Sequence, residues 1–376
     1  MDKRLYSIET PCYVVDEKRL TENLVILRDV ANRAGCKILL AQKAFSMFSV
    51  YPLIGRYLDG TTASGLFEAK LGNEEMGKET HVFSAAYMEK EFDEIVKICD
   101  HISFNSFAQW QKYGKKALDA GRSCGIRINP QHSTQEHGIY DPCAEGSRLG
   151  VTRENFRPAL LEGIDGLHFH TLCEQNSDAL IETVAAVEEK FGEFLPQMKW
   201  VNFGGGHHIT REDYDREALI DCILRFKEKY HVEVYLEPGE AIALNAGYLV
   251  TSVLDIVHNG IDIALLDASA ACHMPDVIEM PYRPPLWQGG EPNEKAYTYR
   301  LAGATCLAGD VIGDFSFAQP LSIGDKLVFM DMAIYSMVKN NTFNGMCLPS
   351  IAVLHESGEL NIIRKFGYED FKGRLS

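Results

Sequence analysis

Residues 166–206 read GLHFHTLCEQNSDALIETVAAVEEKFGEFLPQMKWVNFGGG. The stretch opens on a short apolar run. It then passes through ALIETVAAVEEKF, whose apolar residues recur at the spacing of an amphipathic helix, and closes on a second apolar run, KWVNFG. Strand, helix, strand is the pattern of a parallel pair, because two parallel strands need a long crossover between them. Working outward, short apolar runs begin near Lys37 (KILLA), Gly60 (GTTAS), His81 (HVFSA), His101 (HISFN), Ser123 (SCGIRIN), Gly166 (GLHFH), Lys199 (KWVNFG) and Glu233 (EVYLEPG). Helix-period stretches such as REALIDCILRFKEKY separate them. Eight such units predict an α/β fold, a (β/α)8 TIM-type barrel over residues 16–245, with its chemistry at the C-terminal ends of the strands.

After Ala241 the texture changes. YLVTSVLDIV, IDIALLDAS, AYTYRLAGA, DKLVFMDMA and IAVLHES are β-rich and divided by Gly, Pro and Asn turns. A separate C-terminal β-rich domain is expected over residues 246–376, joined by residues 1–15, although the early strand PCYVV suits either unit.

The 376 residues carry a formal charge of -16, with 46% hydrophobic and 24% charged residues. No basic run is present, which argues against nucleic acid as a partner and leaves a field suited to cationic ligands. Ten cysteines are scattered without a C-x-x-C pair, so free thiols and no structural zinc are expected. No signal-like or membrane-length apolar segment occurs in the sequence, and cytoplasmic residence is the expectation.

Four strand ends carry chemistry. Lys43 follows KILLAQ; as a loop lysine it would only be solvated, whereas an amine desolvated in a barrel mouth becomes a nucleophile toward an aldehyde. Gly204, Gly205 and Gly206 follow the seventh run, where a flexible turn or a phosphate cradle fits, the latter aided by a helix start beyond. Glu237 in LEPGEA follows the eighth; a carboxylate there is either solvated or holds a proton on a pyridine nitrogen. His168 and His170 alternate on a strand and share a face, as core histidines, as metal ligands, or with one ring on a flat cofactor. A single ligand that uses amine, glycine loop, carboxylate and ring is pyridoxal 5'-phosphate (PLP).

With AQKAFSMFSVYPL, DGTTASGLFEAKLG, YDPCAEGSRLG, GLHFHTLCE, VNFGGGHH and TCLAGDVIGD in this order, the chain resembles the alanine-racemase-fold, or fold-type III, PLP decarboxylases over essentially its whole length. These include ornithine and diaminopimelate decarboxylases. Within the family the resemblance is greatest to the carboxynorspermidine/carboxyspermidine decarboxylase branch of polyamine biosynthesis. It implies Lys43 as the Schiff-base residue, His170 over the ring face, Arg127 near the phenolic oxygen, Gly204 to Gly206 at the phosphate and Glu237 at the ring nitrogen. It also implies Cys306 and Asp310 as a pair supplied by the partner subunit of a homodimer, and Tyr335 reaching the phosphate. Asp267, Asp310 and Glu279 are the carboxylates expected at the substrate's distal amines, and no catalytic metal is implied. Two departures stand out: Glu240 occupies the position of a phosphate-binding arginine in many decarboxylase relatives, and Cys173 that of a serine in some.

Rival readings are another fold-type III decarboxylase acting on ornithine, lysine or diaminopimelate, a racemase, a non-catalytic PLP binder, or a metal-dependent hydrolase using His168 and His170. The last carries its H-x-H on the sixth strand, whereas such hydrolases place it after the first.

Overall fold

A computed structural model gives the fold and describes residues 2–135 and 138–376. The chain forms two compact units, one of Met1–Leu20 with Ala243–Ser376 and one of Thr21–Ile242. The first strand, β1 (Cys12–Asp16), belongs to the former.

In the unit Thr21–Ile242 the eight apolar runs become β2 (Lys37–Ala41), β3 (Gly60–Ala63), β4 (Glu79–Ser84), β5 (His101–Phe104), β6 (Ser123–Arg127), β7 (Gly166–His168), β8 (Trp200–Asn202) and β9 (Glu233–Leu236). They pair in chain order, all parallel, and β9 closes on β2, so the predicted barrel is the observed one. Strands sheathed by helices are covered on both faces, which is why they read as continuous apolar runs rather than alternating ones. The crossover quoted above is the helix Ser177–Phe191, begun where the Asn176 side chain accepts from the Ser177 amide, with Leu180, Val184 and Val187 buried along one stripe. The helix Arg216–Tyr230 starts on an Asp215 cap and stops at His231, whose φ of 55° turns the chain left-handed.

Side chains fill the barrel, with Leu39, Trp200 and Tyr235 forming one buried cluster. Trp200 fits because β7 opens on Gly166: a Cβ there would lie 2.1 Å from the indole. The indole N–H donates to Ser123 Oγ at 2.8 Å.

The other unit is built on β1 with β10 (Gly247–His258), β11 (Asp262–Leu266), β12 (Tyr297–Ala302), β13 (Val311–Phe317), β14 (Lys326–Met330), β15 (Ser350–Leu354) and β16 (Leu360–Arg364). The sheet runs β13-β12-β11-β10-β1-β15-β16, with β14 also paired to β10. Thus PCYVV, ambiguous as sequence, lies antiparallel to β10 and parallel to β15. Tyr13, Leu249, Leu301, Phe315 and Phe329 belong to its main apolar core. Among the described residues, no helix is long and apolar enough to cross a membrane.

Candidate active site

The barrel brings its strand ends onto one cavity, lined by Lys43, Arg127, His168, His170, Gly205 and Glu237 together with Thr62 and Phe83. Arg127 and His168 are the last residues of β6 and β7. Lys43 stands two residues beyond β2, and Glu237 one beyond β9. Residues separated by up to two hundred positions meet because parallel closure sends every C-terminal end to the same mouth.

Lys43 Nζ lies 3.5 Å from His170 Nε2. Lys43 is exposed to the cavity, and the protein crowded around its amine, with the Arg127 guanidinium nearby, pushes its pKa below that of an ordinary lysine. His170 Nδ1 accepts from the Gly205 amide at 2.8 Å. A neutral His170 therefore carries its proton on Nε2, facing Lys43. Burial, then the charges of Lys43 and Arg127, hold His170 well below the usual histidine range, so the ring is neutral at pH 7. Arg127 is brought down to about 10 by burial. It donates to the His170 carbonyl at 3.0 Å and stacks over Phe83, 4.5 Å from the ring centroid.

Glu237 is 8% exposed. Burial alone would raise its pKa, but His168 and a hydrogen bond from Asn202 more than offset it and hold the carboxyl below the usual range. Asn202 Nδ2 donates to Glu237 Oε1 at 2.7 Å, and His168 Nε2 lies 3.5 Å from Oε2. Neither ring nitrogen of His168 makes a hydrogen bond among the described residues. The Asn202 side-chain oxygen Oδ1 accepts from Gly204 N at 2.8 Å, so this one side-chain amide ties the glycine loop to the carboxylate. Asn202 is the residue that sequence reading missed; its only signal was its place two positions before the glycine run.

The glycines are sterically required. A Cβ on Gly204, at φ +70°, would lie 2.4 Å from the Phe169 carbonyl oxygen, and on Gly206, at φ +83°, 2.0 Å from that of Leu172. The expected helix start beyond them is absent. The chain runs through turns and bends beyond His207 until the helix at Arg216, so no helix dipole stands behind the loop, and the Gly204 and Gly205 amides already donate to Asn202 and His170. Glu240 has an oxygen 3.8 Å from His208 Nε2.

The remaining expected residues lie in the β-rich unit. Cys306 is an exposed free thiol whose amide donates to Asn344 Oδ1 at 2.8 Å. Asp310 is 3% exposed and accepts from Ser269 Oγ, the Ala271 amide and Thr305 Oγ1, which pins the loop that carries Cys306. Asp267 accepts from Thr10 Oγ1, Thr251 Oγ1 and the Ser252 amide. Glu279 pairs with Lys339 and is half-exposed. Tyr335 follows β14 and holds a left-handed φ of 47°.

A profile of the family described as pyridoxal-dependent decarboxylase, C-terminal sheet domain, matches residues 12–333. Carboxynorspermidine/carboxyspermidine decarboxylase of Campylobacter jejuni subsp. jejuni serotype O:6 is 45% identical over 378 residues, 98% of each chain. Carboxyaminopropylagmatine decarboxylase of Synechocystis sp. is 42% identical over 374 residues, 99% of this chain and 97% of that one. A crystal structure of Campylobacter jejuni carboxynorspermidine decarboxylase complexed with norspermidine matches with a TM-score of 0.92 and 44% identity, covering 98% of this chain and 100% of that one.

Proposed function

The chain belongs to the pyridoxal-dependent decarboxylase family, and from that membership we propose that it removes CO2 from carboxynorspermidine or carboxyspermidine, releasing norspermidine or spermidine, with PLP held at Lys43. The observation that carries this reading is the convergence of Lys43, His170 and Glu237 on one cavity, in a chain 45% identical to such an enzyme over 98% of its length.

The residues present fit PLP. The Lys43 amine, with a depressed pKa, is a nucleophile suited to an aldehyde. Glu237, kept ionised, is suited to hold a proton on a pyridine nitrogen, and the nitrogens of His168 beside it lack partners among the described residues. His170 offers a neutral ring fixed by Gly205, and Arg127 a buried cation for an anionic oxygen. Gly204 to Gly206 let backbone approach a phosphate, and Tyr335 is assigned to the same group. When bound, PLP supplies an electron sink for the pair left behind by departing CO2.

Cys306 is assigned to deliver a proton to the carbon that has lost CO2, from the partner subunit of a homodimer; its exposure at a pinned loop supports this. A cationic polyamine needs carboxylates, and Asp267, Asp310 and Glu279 are assigned to that role, Glu279 being the most exposed. A cavity of about 740 Å³ beside Lys43, walled in part by Tyr140, Asp141, Glu145 and Arg148, leaves room for an extended chain. Ten free cysteines suit cytoplasmic work.

A second reading follows from the Synechocystis relative: carboxyaminopropylagmatine, which ends in a guanidinium, as the preferred substrate. Steady-state CO2 release from carboxynorspermidine, carboxyspermidine, carboxyaminopropylagmatine, ornithine, lysine and diaminopimelate separates the cases. The reading fails if any of the last three has the highest kcat/KM.

A further inference from the structure

At the opposite end of the barrel strands from Lys43, three metal-ligating side chains converge that the decarboxylation chemistry does not use. Glu79 opens β4, and His81 follows two residues later on the same strand. His101 opens β5 and lies directly in register with His81. The two imidazoles stack with centroids 4.0 Å apart and planes 15° from parallel. Glu79 Oε2 is 3.1 Å from His81 Nε2, and one ligand atom from each of the three residues lies within 4.8 Å of the others.

We infer that this end of the barrel is a binding site for a divalent transition-metal ion of the zinc type, ligated by Glu79, His81 and His101. Two imidazoles and a carboxylate form a donor set that zinc favours, with the fourth position left to water. Tetrahedral bonds of about 2.0 Å place donor atoms about 3.3 Å apart, so closing the set requires His101 to turn out of its stack with His81 and Glu79 to rotate toward it. A second observation points to a ligand: His101 Nδ1 is fully enclosed and makes no hydrogen bond among the described residues. An enclosed nitrogen left unpaired is costly, and a metal ion or its bound water supplies the missing partner.

The surroundings orient the carboxylate and also oppose the cation. Lys37 Nζ binds Glu79 Oε1 at 2.5 Å, and it also reaches Tyr235 OH at 3.1 Å and Glu233 at 3.3 Å. Lys37 thus leaves Oε2 turned toward His81 while its ammonium repels a metal. The site would clamp β4 to β5, at the barrel face where side chains serve stability rather than turnover.

The test uses the cofactor-loaded full chain, stripped with chelator and titrated with ZnCl2 by calorimetry, with retained zinc counted after gel filtration. Wild type retains one equivalent that His101→Gln and Glu79→Gln each lose, while kcat of these variants is unchanged. Lys37→Gln tightens zinc binding at least about tenfold, the factor equal to 1.4 kcal/mol of removed repulsion. If neither ligand variant folds, the Lys37→Gln titration decides. Wild type retaining no zinc, ligand variants retaining as much as wild type, or Lys37→Gln binding no tighter overturns the inference. Loss of zinc with intact turnover separates this outcome from failure of the decarboxylase reading.

Discussion

The side-chain amide of Asn202 donates to Glu237 at 2.7 Å and, through its oxygen, accepts from Gly204. One residue thus holds both the carboxylate assigned to the ring nitrogen and the start of the loop assigned to the phosphate. Asn202→Ala leaves a buried carboxylate without a charge-assisted bond worth about 1.5–3 kcal/mol. PLP affinity is expected to fall about 10–100-fold, read as the apparent Kd from cofactor fluorescence; an unchanged Kd would show that Glu237 is held by other means.

Lys43→Ala is expected to abolish the visible absorbance band of covalently bound cofactor and to reduce turnover to background. Persistence of that band after gel filtration would remove Lys43 from its assigned role.

Gly206→Ala forces a Cβ to within 2.0 Å of the Leu172 carbonyl oxygen at a φ of +83°. A loss on the order of 3 kcal/mol is expected in urea unfolding, combining backbone strain with a steric clash. A midpoint equal to wild type would mean that the loop can move aside at no cost.

Cys306 is exposed, so Cys306→Ala should leave stability within about 0.5 kcal/mol of wild type. Its assigned proton delivery predicts a fall in kcat of about 100-fold or more with the cofactor spectrum intact. Unimpaired kcat in a well-folded variant rules that role out.

Burial brings His168, His207, His208 and His273 down to about 4, whereas unfolded histidines titrate near 6.5. Between those values the unfolded chain binds protons that the folded chain does not. Their contribution is therefore fully present above about pH 6.5 and is lost as pH falls toward 4, by up to about 1.4 kcal/mol per pH unit for each histidine. Urea midpoints at pH 7.5 and 5.5 check this; equal midpoints would contradict it.

The eight strands and the positions of Lys43, His170, Gly204 and Glu237 at their ends were legible in the sequence. An apolar run, a helical period and a residue just past a strand are local patterns, and parallel closure then carries those ends to one mouth. Partners are not local. PCYVV became a strand between β10 and β15 through pairings more than two hundred residues away, which no short window contains. The glycine loop received no helix start, because the residues from His207 to Asp215 turn before the next helix begins. Asn202 joined Glu237 to Gly204, and Gly205 placed the proton of His170, only once strand closure had set donors against acceptors. Periodicity reports which face of a segment is buried. The choice of hydrogen-bond partner, and with it each group's charge state, depends on distances that exist only in the folded barrel.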